Sequence, residues 1–184
     1  GCIEAGSMTF TGSATGKRFL IESGGKIITG VESLTYFPGD VAGTISGGYL
    51  DNRTSVPVTL TPTYGGVTTA GSTTYGSPRT GEYRQEGSRI DFTLQVTWTA
   101  NSGGAGQAFV GGLPVAAATT TSVPIGYADN VTVGAGKQLV GVIISGETRV
   151  RLYAVDPTGA AAAVAVEAAG EVYISGSYYG SGLF

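Results

Sequence analysis

Apolar and polar residues alternate without interruption over residues 89–99, where Ile90, Phe92, Leu94, Val96 and Trp98 are separated by Asp91, Thr93, Gln95 and Thr97. Successive side chains of a strand point to opposite faces, so this stretch predicts a long β-strand with one packed face and one wet face. Trp98 shares its parity with Ile90 and belongs to the packed side. Residues 149–155 repeat the pattern, with Val150, Leu152 and Ala154 inward and Arg149, Arg151 and Tyr153 outward. Residues 139–144 are apolar at both parities, which predicts a strand covered on two sides, either centrally in a sandwich or against a neighbouring subunit. Between these two strands Gly146-Glu147 reads as a tight antiparallel turn. Near the end, Val172 and Ile174 share one face of a last strand and Tyr173 takes the other.

The first half is more weakly patterned. Residues 17–22 and 26–29, joined through Ser23-Gly24-Gly25, predict a small hairpin, followed by a strand at 34–37 and a turn at Pro38-Gly39-Asp40. From residue 42 to 52 the composition turns to glycine, serine and threonine, with Tyr49 and Leu50 as the main apolar bulk. A boundary is expected near residue 55, which separates an N-terminal connector (1–55) from a head domain (56–184) that opens on a strand at 56–61. Residues 64–80 read as a long turn-rich connection, and Gly103-Gly104-Ala105-Gly106 as a hairpin loop. The alanine-rich run 160–169 has helix propensity, but Gly159 and Gly170 bracket it, so a loop leading into a strand is expected.

Composition sharpens this picture. Glycine fills 32 of 184 positions and only 12% of residues are charged, which disfavours helices and favours an all-β fold, an antiparallel jelly-roll-like β-sandwich. A net charge of −3 with scattered Lys and Arg leaves no basic patch for nucleic acid. No apolar run approaches the length of a membrane helix, so no membrane insertion is expected. The single cysteine excludes an intrachain disulfide, and the first residue is glycine, so a processed or altered N-terminus is expected.

The absence of histidine excludes a Ser-His-Asp triad and a His-containing zinc site, and no phosphate loop, calcium loop or nucleophile elbow occurs, so neither metal nor cofactor is expected. Thirteen carboxylates remain. Asp40, Asp129 and Asp156 sit in apparent turns, where Asx-type hydrogen bonding is their usual work. Glu82 and Glu86 are the least implausible acid pair, yet alternation puts both on one exposed strand face, so the chain is expected not to be an enzyme. Aromatic side chains offer another chemistry, because saccharide faces stack on them. Tyr64, Tyr75 and Tyr127, the last with Asp129 and Asn130, are the candidate ligand contacts. Arg149, Arg151, Tyr153 and Tyr173 form an outward row of types enriched at interfaces and are the candidate subunit contacts.

One ordered set of motifs carries a resemblance. Residues 81–90 (Gly81-Glu82-Tyr83-Arg84-Gln85-Glu86-Gly87-Ser88-Arg89-Ile90) lead into the strand ending in Trp98, followed by a glycine loop, Gly112-Leu113-Pro114, and Ile174-Ser175-Gly176-Ser177-Tyr178. This order resembles a β-sandwich module common at the C-termini of tailed-bacteriophage fibre and other virion appendage proteins. Upstream, Gly25-Lys26-Ile27-Ile28-Thr29, Tyr36-Phe37-Pro38-Gly39 with Ala42-Gly43-Thr44, and Gly47-Gly48-Tyr49 resemble the connector that often precedes it. The resemblance implies a homotrimer in the virion that attaches to bacterial surface polysaccharide or lipopolysaccharide and joins other virion proteins through its N-terminal segment. A fibre tip or spike binding a glycan without turnover is the expected function; capsid or tail decoration and a polysaccharide-depolymerising spike are the alternatives. The chain is short for a whole fibre, with no heptad shaft, which suits either the tip of a longer protein or a small appendage.

Overall fold

The computed structural model describes residues 2–4, 15–22, 26–28, 37–41, 43–46, 49–51 and 57–181. Among them every regular element is a β-strand. The chain divides into two compact units, Gly1–Pro57 with Arg84–Gly87 and Val58–Tyr83 with Ser88–Phe184.

The first unit contains β1 (Cys2–Glu4), β2 (Leu20–Glu22), β3 (Lys26–Ile28), β4 (Thr44–Ser46) and β5 (Tyr49–Asp51). The hairpin expected of 17–29 does not form. β3 lies between β1 and β5, β2 pairs with β4, and every one of these ladders is parallel. The chain therefore visits two ladders alternately, as a coil does, and the partners Cys2↔Lys26 and Leu20↔Thr44 are both 24 positions apart. A faint repeat at that offset matches Ile3 with Ile27, Ile21 with Ile45 and Gly24 with Gly48. Strands of three residues stabilise little on their own; the parallel register sets position 3 beside 27 and position 21 beside 45 along the backbone, and Ile21 and Ile27 are buried. Gly43 is required by the same stacking, since a Cβ there would run into the ring of Phe19, its counterpart one turn earlier. Phe19 meets Phe37 edge-on at 5.7 Å, and Arg18 Nη1 donates to the Phe37 carbonyl at 2.6 Å. The strand expected at 34–37 lies mostly outside the described residues.

The second unit holds β6 (Val58–Leu60), β7 (Thr63–Gly66), most of β8 (Ser72–Glu86), β9 (Arg89–Ser102), β10 (Ala108–Gly111), β11 (Thr121–Asp129), β12 (Gln138–Ile143), β13 (Arg149–Val155), β14 (Ala161–Ala163) and β15 (Gly170–Tyr179). They form one curled antiparallel sheet, a half-barrel of order β6-β8-β9-β15-β11-β12-β13-β10-β7, with β14 on the flank of β13. β11 makes the curl. Its first half, 121–124, pairs with β12 and its second half with β15, and the register slips by one residue between Ile125 and Tyr127. Such a bulge bends a strand and increases its local twist, and Gly126 at the slip adds no side chain to obstruct it.

The curl turns the inward faces of the strands onto one core. β9 contributes Ile90, Phe92, Leu94, Val96 and Trp98; β13 contributes Val150, Leu152 and Ala154; β15 contributes Val172, Ile174 and Tyr178. All but Tyr178 are residues to which alternation had given a common face. Full burial of each large apolar side chain is worth about 1.5–3 kcal/mol. The polar tips of the core rings are satisfied: Tyr178 Oη donates to the Val115 carbonyl at 2.8 Å and Trp98 Nε1 to the Glu167 carbonyl at 3.1 Å.

Two other expectations need correction. Residues 64–80 are not a connection but β7 and the long strand β8, whose pairing beside β9 overrides the turn-forming tendency of its Ser, Gly and Pro. The glycines at 103–106 do not close a hairpin; the chain crosses to β10, which pairs with β7 and β13. In a single copy β12 buries Gly141 and Ile143 on one face, while Val140 and Val142 on the other are half-buried. The alanine run supplies the short strand β14 and no helix.

Candidate functional site

The structure scatters the five residues singled out for ligand contact. Tyr64, expected at the surface, is only 3% exposed. Its ring stacks on Trp98 at 3.7 Å and 14°, and its oxygen accepts from the Glu167 amide at 2.8 Å. Burial pushes its phenol up to about 12. Position 64 lies on the inner face of β7, which a reading of this segment as a turn did not provide. Tyr75 is half-buried on β8: its oxygen accepts from the Tyr64 amide at 3.0 Å, and the Arg79 guanidinium covers its ring at 3.7 Å.

Tyr127, Asp129 and Asn130 stay together. Tyr127 is 48% exposed on β11 just past the bulge, and Asp129 ends the same strand. Asn130 follows with φ near 53°, a left-handed conformation that Asn tolerates better than most residues, and its Nδ2 donates to Asp129 Oδ2 at 2.9 Å.

The neighbour that organises this patch is β15. Tyr127 is the register partner of Tyr173, and Tyr173 of Gln95 on β9; one pleat along, Asp129 faces Glu171, and Glu171 faces Thr97. Inward packing of Val172 and Ile174 forces Glu171 and Tyr173 outward, so these residues make a grid of three strands by two rows. The rings of Tyr127 and Tyr173 lie 5.2 Å apart and tilted by 49°, an aromatic ledge rather than a sealed stack. Glu171 accepts from the Thr97 hydroxyl at 3.1 Å. Hydrogen bonding to Glu171, then desolvation, raises the Tyr173 phenol above its ordinary value. Strand spacing of about 4.8 Å and a pleat of about 6.8 Å give the grid the footprint of one or two sugar rings. Its chemistry suits a saccharide: aromatic faces for C–H surfaces, and carboxylate, amide and hydroxyl groups for ring hydroxyls. Glu171, Thr97 and Gln95 were missed in the sequence, although each shares the parity of an outward residue already named.

The candidate subunit contacts also separate. Tyr173 joins Tyr127. Tyr153, half-buried, lies opposite Val140 and Ala163. Arg149 and Arg151 converge instead on Glu147 of the turn before β13. Arg149 donates from Nε to Oε2 at 3.0 Å and from Nη2 to Oε1 at 3.1 Å; Arg151 donates from Nε to Oε2 at 2.9 Å, and its Nη2 to Oε1. Hydrogen bonds from the two guanidinium groups, Arg151 first, hold the Glu147 carboxyl down at about 2. Beside this cluster is an open depression of about 350 Å³ lined by Thr63, Phe109, Gly111, Glu147, Thr148 and Arg149 among others. Glu82 and Glu86 are exposed on β8. Among the described residues no group of three or more His, Cys, Asp or Glu side chains is placed to hold a metal ion, and no helix is long and apolar enough to cross a membrane.

No protein-family model matches the chain, and no curated protein sequence matches it. A solved structure does. The chain is similar to the Dettilon tailspike protein (gp208), with a TM-score of 0.56 and 19% identity over 86% of this chain. The likeness is one of fold. The matched region spans 30% of that tailspike, so the chain corresponds in length to a module of it rather than to the whole.

Proposed function

We propose that this chain is a module of a tailed-phage virion appendage that holds a bacterial cell-surface glycan on the outer face of β11, β15 and β9 and releases it unchanged. The observation that carries this is the grid itself: two tilted tyrosines, one about half exposed, flanked by Glu171, Asp129, Gln95 and Thr97 on a rigid sheet. A tailspike fold supports the virion setting. The sheet, curled through β11, is read as the two leaves of a jelly-roll-like sandwich. A homotrimer is supported by the outer row of Val140, Val142 and Tyr153, apolar and half-buried in a single copy, as a surface meant for a sister subunit is. The test is binding of the purified chain to a panel of bacterial strains, competed by the surface polysaccharide of each strain. Saturable, competed binding that Tyr127→Ala abolishes is the expected result. Absence of binding to every strain would leave a decoration role, and release of new reducing ends from the polysaccharide would make the chain a depolymerase.

A further inference from the structure

The Glu147 cluster holds more positive charge than its carboxylate consumes. Each arginine spends its Nε–H and one Nη–H on Glu147, and the four bonds fill both carboxylate oxygens. A guanidinium has five N–H donors, so three remain on each arginine, and among the described residues no second carboxylate reaches either one. The cluster is a rigid fork with a net charge of +1. Its position is set by register: Thr63 on β7, Gly111 on β10 and Arg149 on β13 lie in one cross-strand row. The middle residue has no side chain, and a Cβ there would come within 2.7 Å of Thr63 Oγ1. The missing side chain opens the floor of the depression. Phe109, one pleat along, forms a wall, with the Arg149 guanidinium 5.0 Å from its ring centroid. Thr63 and Thr148 add hydroxyls at the rim. A volume of about 350 Å³ falls within the range of small-ligand sites, about 300–1,000 Å³.

We infer that this depression is a second binding site, one that takes the carboxylate of an acidic sugar. Glu147 locks the side chain of Arg149 in place, so that its free guanidinium edge meets a ligand carboxylate without losing further rotamer freedom. Thr63 and Thr148 meet ring hydroxyls, and Phe109 borders the apolar face. The site shares only its ligand class with the glycan reading of the tyrosine grid, and it stands if cells are not bound at all.

The test uses the full chain with trigalacturonate as probe, its methyl ester as an uncharged control of the same shape, and binding followed by calorimetry. The wild type binds the acid at least 10-fold tighter than the ester. Arg149→Gln weakens acid binding about 10- to 100-fold, the loss expected for a charge-assisted fork. Gly111→Ala keeps every charge but raises the floor, and also weakens it; Tyr127→Ala does not. Trp98 fluorescence verifies that each variant is folded. Equal binding of acid and ester, no heat from the wild type, or full affinity in folded Arg149→Gln would overturn the proposal. Dissociation of an oligomer by Arg149→Gln, with acid binding intact, would make the cluster a subunit contact instead.

Discussion

Replacing Tyr64 by phenylalanine separates a core role from a ligand role at a single oxygen atom. The Tyr64 hydroxyl accepts from the Glu167 amide at 2.8 Å, while the Glu167 carbonyl accepts from Trp98 Nε1 at 3.1 Å, so one peptide segment fixes both stacked rings. Tyr64→Phe preserves the stack and leaves an amide without its partner, at a cost of about 1–2 kcal/mol. Tyr64→Ala also removes the ring and opens a cavity against Trp98, at a cost of about 3–5 kcal/mol. With a urea dependence of about 2 kcal/mol per molar, the midpoint falls by about 0.5–1 M for phenylalanine and by about 1.5–2.5 M for alanine. Trp98 is the one tryptophan in the chain, so its fluorescence reports this core without interference. Binding to cells by folded Tyr64→Phe is expected to equal that of the wild type, since the ring lies beneath the sheet. An unchanged midpoint combined with lost binding would refute the assignment of Tyr64 to the core.

Glu147 carries an acid dependence. Its carboxyl titrates near 2 in the fold against 4.5 ordinarily, so its contribution is complete above about pH 4.5 and disappears as pH falls toward 2. The full drop is worth ~3 kcal/mol, and screening by adjoining water reduces it to about 1–2 kcal/mol. Urea midpoints measured between pH 5 and pH 2 should fall less steeply in Glu147→Gln than in the wild type; parallel curves would remove the ion pairs from the account of stability. Gly141→Ala should cost about 1–3 kcal/mol by Trp98 fluorescence, because the new Cβ lies 2.6 Å from Val150 Cγ1 and 2.8 Å from Val123 Cγ2, both on fully buried side chains. At the other extreme of pH, Tyr64 and Tyr178, both pushed up to about 12 by burial, should form phenolate later than the exposed tyrosines in a spectroscopic titration, and stability should fall as pH rises from about 10 to 12. Ionisation of all tyrosines in a single step on the folded protein would contradict their burial.

What the sequence determined was each strand by itself. Alternation at 89–99, 149–155 and 172–174 named the inward residues, because period 2 is a property of one strand's pleat and needs no partner to be expressed. The same parity placed Arg149, Arg151 and Tyr173 outward. Which outward residues became neighbours was decided only when the strands paired into the curled sheet. Tyr127 meets Tyr173 because β11 slips its register at Gly126 on the way from β12 to β15, and Glu147 joins Arg151 because a turn of the chain folds back over β13. Parallel winding of the first unit was hidden for a similar reason: three-residue strands carry almost no periodicity, and their order is set by stacking across 24 positions. Tyr64 marks the limit most plainly, since its face is defined by the neighbours of β7 and by the ring of Trp98, none of which is local to it in the chain.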